Sequence, residues 1–418
     1  MFDIKLLREN PDKIQEAAKS KRVSIDASKI LQADTLYREC DRQTQDLREQ
    51  MNVHVKGIQG KPTPEQIAKG KEIKEKLQKA EVELRDLKNN VDILLAGVPN
   101  LPKPDVKVGK DDSENEVIKT VGEPKKFTFT PKDHLELGEG LGIIDVKQAA
   151  LVSGARFDYL IGDGALLESA LRQYAIDTLL AEGFILVSPP VLIKKDIMAR
   201  LGYTAMGEAD NIFELEQDSL YLVGTSEQSL VPLHMDDTLH KKDLPRRYMS
   251  YTSCFRREAG SYGKDTRGIF RVHQFNKVEM VSFVEEGEDD KEHQYLLSLE
   301  EKFFEELGIP YQVLAICTGD LGFNAARKYD IEAFIPSQNK YREVTSTSTV
   351  TDFQSRRLNM RYQDGSERKY LNVLNGTAFS MNRPIIAILE NYQQEDGSIV
   401  IPEVLRKYMG KDTIVPQK

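Results

Sequence analysis

The chain has little of what several common protein classes require. Among its 418 residues there are only three cysteines, Cys40, Cys254 and Cys317. They are far apart and form no C-x-x-C pair, so they read as reduced, buried thiols rather than a disulfide framework or a zinc site. No apolar run approaches the roughly 20 residues of a membrane span. The N-terminus, M-F-D-I-K-L-L-R-E-N-P, is charged from its third residue and lacks the apolar region of a secretory signal. A cytoplasmic protein with no membrane partner is expected. No G-x-x-x-x-G-K-[ST] loop occurs, so a P-loop is excluded as a phosphate site. Positive charge is short as well: 58 Lys+Arg against 67 Asp+Glu leave a net −9, which by itself argues against a nucleic-acid binder.

The charge is unevenly spread. Residues 1–100 hold 19 Lys+Arg and 17 Asp+Glu, so the rest of the chain carries the whole acidic excess. Within residues 53–80 there are seven Lys and three Glu. An acidic body thus carries a locally basic N-terminal part, although a charge run alone is usually just a solvated face.

That N-terminal part has a regular pattern. Ile30, Ala33, Tyr37, Cys40, Thr44, Leu47, Met51, His54 and Ile58 alternate spacings of three and four. Gly70, Ile73, Leu77, Ala80, Leu84, Leu87, Val91 and Leu94 do the same. Between them G-I-Q-G-K-P-T-P-E breaks the helix, with Thr63 and Pro64 placed to start the next. Two such seams around one turn predict an antiparallel coiled-coil hairpin over 30–94. At 1.5 Å per residue, about 30 residues project about 45 Å. The polar seam members Thr44, His54 and Gly70 should weaken its packing. Such a rod could join proteins or hold RNA. V98-P-N-L-P-K-P then supplies a stiff linker, which predicts an N-terminal domain over 1–105 and a second domain over 106–418.

In the second domain, Leu166 to Ala181 has helical periodicity and ends at Gly183. Strands and helices then mix without a βαβ rhythm, so an α+β architecture is expected, an antiparallel sheet with flanking helices. The densest chemistry lies in S253-C-F-R-R-E-A-G-S-Y-G-K-D-T-R-G-I-F-R-V-H-Q-F-N-K-V-E-M280. It reads as two strands joined by a Gly- and charge-rich loop. The first would carry Arg256 and Glu258 on one face, the second Arg271, His273, Phe275, Lys277 and Glu279. Guanidinium groups bind phosphate and an aromatic ring stacks on a purine, which suggests ATP laid on an antiparallel sheet. His273, a lone strand histidine, reads as structural.

The same segment resembles motif 2 of the class II aminoacyl-tRNA synthetases in its seryl form. G183-F-I-L-V-S-P-P-V-L192 is similar to motif 1, and N375-G-T-A-F-S-M-N-R383-P-I-I-A-I-L-E390 to motif 3. V223-G-T-S-E227 resembles the serine-binding loop of the family. E343-V-T-S-T-S with D352-F-Q-S-R-R-L resembles its metal and nucleotide segment. The five segments come in the family's order and cover essentially the whole chain.

The resemblance implies an enzyme that makes seryl-adenylate from L-serine and ATP, then passes serine to tRNA(Ser), and generally to tRNA(Sec) where that tRNA exists. Arg256 and Arg383 would be the catalytic arginines. Serine would meet Thr225, Ser226, Glu227, Arg256, Glu279, Asn375 and Thr377. ATP would meet Arg256, Arg257, Glu258, Arg271, Val272, Phe275, Glu343, Val344, Thr345, Ser346 and Arg383. Glu343 and Ser346 would hold Mg²⁺, and no zinc would be needed. Lys69, Lys71 and Lys74 on the arm would touch tRNA, and motif 1 would build a homodimer.

Three points stay open. Glu279 could be a ligand for serine or a structural partner of Arg256. In motif 3, Met381 and Asn382 stand where the family commonly has small residues, and Pro384 replaces a hydroxyl residue. Finally, the chain could load an amino acid onto a carrier protein, or be an inactive scaffold. The intact arm speaks against the first, and the presence of Arg256, Glu279, Glu343 and Arg383 against the second.

Overall fold

The computed structural model describes residues 2–205, 208–259 and 267–416. Most of the charged loop between the two motif 2 strands, residues 260–266, lies outside the described residues. The chain divides into two compact units, Met1–Leu101 and Pro102–Lys418, and the division falls inside the proline-rich segment.

The first unit is four helices: α1 (Ile4–Glu9), α2 (Pro11–Ser20), α3 (Ala27–Lys56) and α4 (Pro64–Ala96). Helix α4 starts with a capping box, Thr63 accepting from the Gln66 amide while the Gln66 side chain accepts from that of Thr63. Leu7, Ile14, Ile30, Val91, Leu95 and Val98 form a small core at the base of the α3–α4 hairpin. Arg8 fastens α1 to α3 through two bonds to the buried Asp34 carboxylate, at 2.6 and 2.8 Å.

Farther along the hairpin the polar seam positions are satisfied. The Thr44 hydroxyl donates to Cys40 O at 2.8 Å. The His54 ring occupies the space that a Gly70 side chain would take, 3.2 Å from the Cβ position, and its Nε2 donates to Gln66 O at 2.8 Å. The weakening expected at these positions is therefore offset, because each buried polar group has a partner.

The second unit is built on an eight-stranded sheet. Its strands are β1 (Glu116–Val121), β2 (Ile185–Leu186), β3 (Arg246–Phe255), β4 (Gln274–Val284), β5 (Tyr311–Ala315), β6 (Arg327–Ile335), β7 (Lys340–Thr351) and β8 (Asn372–Ser380). The order is β1-β5-β6-β7-β8-β4-β3-β2, antiparallel except for β2 against β3. With its helices this is the expected α+β fold. Helices α5 (Asp163–Ala181), α6 (Asp289–Glu306) and α7 (Asn382–Tyr392) pack with the sheet around Leu171, Met280, Phe303, Phe379 and Leu389. A second cluster, with Met198, Val223, Val281 and Phe283, covers part of the opposite face. Strand β4 thus alternates: Met280 and Val284 serve one core, Val281 and Phe283 the other. Phe275, Lys277 and Glu279, on the same face as Val281, are left to line a cleft.

Two strand readings need correction. Strand β3 ends at Phe255, so Arg256 and Glu258 lie past it. The Arg256 amide still donates to His273 O at 2.9 Å, one step beyond the Phe255–Gln274 pair; past it the backbone takes other partners, the Arg257 amide donating to Asn211 O at 2.9 Å and that of Ala259 to Asn211 Oδ1 at 2.8 Å, and Glu258 turns left-handed at φ 50°. Strand β4 starts at Gln274, leaving Arg271 and His273 in the approach to it. Of the motif 1 segment, only Ile185–Leu186 and Leu192–Lys194 are strands; prolines 189 and 190 between them offer no amide hydrogen to a ladder.

Candidate active site

The cleft holds about 240 Å³ of free volume and opens to solvent at its mouth. It gathers most of the site residues expected from sequence. At one end stand Thr225, Glu227, Glu279, Asn375 and Thr377; toward the other are Glu258, Arg271, Phe275, Glu343, Ser346 and Arg383. Val272, Val344 and Thr345 also line it, and so does Arg256.

The first end is a buried, acidic pocket. Glu279 is 1 % exposed. Its carboxylate is paired with the Lys277 ammonium and lies 3.4 Å from the Thr377 hydroxyl, which donates to it. Burial pushes Glu279 up to about 7; Lys277 pulls it down and Glu227 opposes that pull. Lys277 Nζ also donates to Thr225 Oγ1 at 3.2 Å. Glu227 accepts from the Tyr203 hydroxyl at 2.6 Å and from Gln354 Nε2 at 3.0 Å. Glu279 therefore takes its direct ion pair from Lys277, not from Arg256.

Arg256 is held differently. Its Nε donates to Gly224 O at 3.1 Å, and its guanidinium lies 5.4 Å from the centre of the Phe275 ring.

At the other end, Arg383 Nη1 bonds Glu343 Oε1 and Glu343 O, both at 3.0 Å. The Arg383 guanidinium also sits 5.1 Å from the Phe270 ring centre. Partial burial works against the charge on Glu343, yet Arg383 and Lys328 outweigh it and hold the carboxyl below the usual carboxylate range. Its side chain still shows 45 % of its surface. Arg271 Nη1 pairs with Glu258 Oε2 at 2.8 Å.

The motif 3 departures leave Arg383 in place. Pro384 sits in the first turn of α7, where its missing amide hydrogen costs nothing. Met381 is fully buried, and Asn382 donates to Ile269 O and Asp158 Oδ1, both at 3.3 Å.

Two expected residues do not line the cleft. Ser226 is fully buried, its Oγ accepting from Ser250 Oγ at 2.6 Å. Arg257 turns away: Nε donates to Ile212 O at 2.9 Å and the guanidinium stacks over Phe213. His273 bonds Arg256 O through Nδ1 at 3.0 Å and packs against Phe157 and Phe213, a structural role. Conversely, Tyr203, Lys277 and Lys328 line the cleft without having been assigned to it. Lys277 was visible in the β4 alternation; Tyr203 and Lys328 come from segments with no motif signal.

Glu343 and Ser346 offer oxygen donors, one of them held ionised. That suits a hard divalent cation that keeps several waters and shares phosphate oxygens.

Residues 1–102 match the family described as Seryl-tRNA synthetase N-terminal domain. Residues 212–392 match the tRNA synthetase class II core domain (G, H, P, S and T). The Serine–tRNA ligase of Acidothermus cellulolyticus is 45 % identical over the whole of both chains. The chain belongs to the seryl-tRNA synthetase family. Another relative, the Serine–tRNA ligase of Thermobifida fusca, is also 45 % identical, over 100 % of this chain and 99 % of that one. The crystal structure of seryl-tRNA synthetase from Pyrococcus horikoshii complexed with ATP superposes with a TM-score of 0.93 at 39 % identity, covering both chains fully. Among the described residues no helix is long and apolar enough to cross a membrane.

Proposed function

We propose that this cleft condenses L-serine with ATP and that the chain then transfers serine to the 3′ end of tRNA(Ser), acting as a serine–tRNA ligase in the cytoplasm. The observation that carries the reading is the joining, in one cleft, of a buried acidic pocket around Glu279 with an arginine- and aromatic-lined end around Arg383 and Phe275. The first suits an ammonium and a hydroxyl, the second a nucleotide.

The serine carboxylate is already ionised at neutral pH, so adenylate formation needs no general base. A carboxylate oxygen attacks the α-phosphorus, the bond from that phosphorus to the bridging oxygen breaks, and diphosphate leaves. The protein's task is positioning and charge neutralisation. Arg256 bridges the serine carboxylate and the α-phosphate. Arg383 takes the terminal phosphate, exchanging its bond with Glu343. Phe275 stacks on adenine, Glu258 accepts from its exocyclic amine, and Glu279 with Thr225 and Glu227 receives the ammonium and hydroxyl. Mg²⁺, with Glu343 and Ser346 as protein ligands, would supply charge neutralisation on the phosphates. In the second step a ribose hydroxyl of tRNA attacks the acyl carbon and AMP leaves.

The unit Met1–Leu101 is the tRNA-binding part and Pro102–Lys418 the catalytic part. Lys69, Lys71 and Lys74 lie exposed on α4, on a helix long enough to track a phosphate backbone. Of the motif 1 segment, Ile185 and Leu186 form the edge strand β2 and are exposed. An exposed apolar edge strand suits a second copy of the chain and supports a homodimer. The reading is tested by ATP–pyrophosphate exchange with serine, alanine and threonine: only serine should support rapid exchange.

A further inference from the structure

Glu300 lies in helix α6 and is completely buried behind the sheet. The adenylate chemistry above gives it no part. Neither of its carboxyl oxygens has a well-formed hydrogen bond, and the Thr345 hydroxyl beside it favours the charged form. An uncompensated carboxylate in such a place would cost several kcal/mol, so its location calls for an explanation.

Its surroundings are specific. Glu300 Oε1 would stand 2.9 Å from a Cβ placed on Gly376, and Thr347 Oγ1 3.3 Å from it. The carboxyl thus fills the space that any side chain at 376 would need. Gly376 lies in β8 between Asn375 and Thr377, both of which line the serine end of the cleft. The neighbouring hydroxyls are committed. Thr347 Oγ1 donates to Asn375 O at 2.8 Å, and Thr345 Oγ1 donates to Thr377 O. Each hydroxyl has one proton and two lone pairs, so both have only acceptor capacity left. An ionised carboxylate could accept from Thr345 only at the expense of that threonine's bond to Thr377 O; a neutral carboxylic acid could donate and leave both bonds in place.

We propose that Glu300 is a positioning residue for amino-acid recognition: as a neutral acid lodged behind Gly376, it braces the two threonines that hold the carbonyls of Asn375 and Thr377. It touches no substrate. The charged groups around it agree with a neutral state. Burial acts first to raise it well above the usual carboxylate range; Glu279 of β4 and Asp330 of β6 push the same way, while the Thr345 hydroxyl of β7 and Lys277 of β4 oppose them. A second consequence follows. Were Glu300 to ionise, its charge would stand behind the carboxylate that binds the serine ammonium.

This inference rests on the serine reading of the cleft, so the wild-type enzyme is first required to activate serine in pyrophosphate exchange; its failure there would sink that reading, not this one. The test then compares Glu300→Gln with Glu300→Leu. Gln is neutral and keeps a donor; Leu is apolar and has none. We expect E300Q to keep a serine KM within about twofold of wild type. E300L should raise it about tenfold, the scale of one lost hydrogen-bonded brace, with the ATP KM changed less than twofold. Toward alkaline pH the wild-type serine KM should rise more steeply than that of E300Q, which cannot ionise. An E300L enzyme with wild-type serine KM, or one whose serine and ATP KM rise together, overturns the proposal. Should E300L not fold, the pH comparison decides alone: coincident serine KM profiles for wild type and E300Q overturn the proposal, and a steeper wild-type rise supports it.

Discussion

Arg383 and Glu343 hold each other across the phosphate end of the cleft, Nη1 to Oε1 at 3.0 Å. A guanidinium parked on a carboxylate is preorganised rather than idle: the entropy of fixing both side chains is spent before ATP arrives. Replacing Arg383 with alanine should lower the rate of serine-dependent pyrophosphate exchange by about 10²- to 10³-fold, the scale for losing a preorganised charge contact in a transition state. Arg383→Lys should recover only part of it, because an ammonium cannot make the planar two-point contact. Steady-state exchange kinetics check both; a lysine variant at wild-type rate would show that simple charge suffices.

Glu279 should impose a pH dependence on serine binding. Burial raises its pKa to about 7, so below that value the free cleft holds a proton that must leave before the carboxylate can take an ammonium. Serine KM should therefore fall as pH rises from about 5.5 toward 7, by at most tenfold per unit, and then level until the alkaline rise expected from Glu300. Lys277 draws this pKa down, so Lys277→Met should shift the fall to higher pH. The sign for folding is the reverse: with the folded pKa above the unfolded one, the buried carboxyl costs stability as pH rises from about 4.5 through 7. Serine KM measured from pH 5.5 to 8.5 for both proteins tests the point; a flat wild-type profile would remove Glu279 from the ammonium site.

Thr377 and Glu279 together should read the serine hydroxyl. Glu279→Ala should abolish serine activation. Thr377→Ala should raise serine KM and narrow the preference over alanine, since a site with buried polar groups rejects an analogue that leaves them unpaired. Exchange assays with serine, alanine and threonine measure this. If Thr377→Ala keeps the full preference, the 3.4 Å contact between Thr377 and Glu279 plays no part in specificity.

The sequence was most legible where period and chemistry coincide. Alternation along 275–279 put an aromatic, a cation and a carboxylate on one face, and all three line the cleft. The heptad seams marked both long helices, and Thr63 with Pro64 marked the start of the second. Legibility failed where chain geometry breaks the period. Arg256 and Glu258 are two apart, but β3 ends at Phe255 and Glu258 stands in a turn where the amides of Arg257 and Ala259 bond Asn211 instead of β4. Arg257 reads as one more phosphate arginine beside Arg256, yet its guanidinium is drawn off onto Phe213. Lys277 was placed on the right face, but its partnership with both Glu279 and Thr225 needs a contact across some 50 residues of chain that no spacing records. Gly376 reads as an ordinary strand glycine until Glu300 is seen behind it.

The arm should be removable without loss of the adenylate step. Cys40 Sγ lies 3.8 Å from Ala80 O, so residues 41–79 can be cut out and the two helices rejoined through a short Gly-Ser turn. The base cluster of Ile30, Val91 and Leu95 remains. Pyrophosphate exchange should stay within about twofold of the full chain, and tRNA charging should be lost. In the full chain, alanine at Lys69, Lys71 and Lys74 should weaken tRNA binding and reduce its salt slope by up to about one unit per phosphate contact. Normal charging by the shortened protein would make the arm a protein-binding rod instead.

The central claim is that serine activated in this cleft is delivered to tRNA. It is tested most directly by incubating the full chain with ATP, Mg²⁺, labelled serine and purified tRNA(Ser), and following acid-precipitable label with and without periodate oxidation of the tRNA 3′ end. The account predicts stoichiometric, ATP-dependent charging that periodate abolishes. Serine-dependent pyrophosphate exchange without any label on tRNA would contradict it and point to a different acceptor for the adenylate.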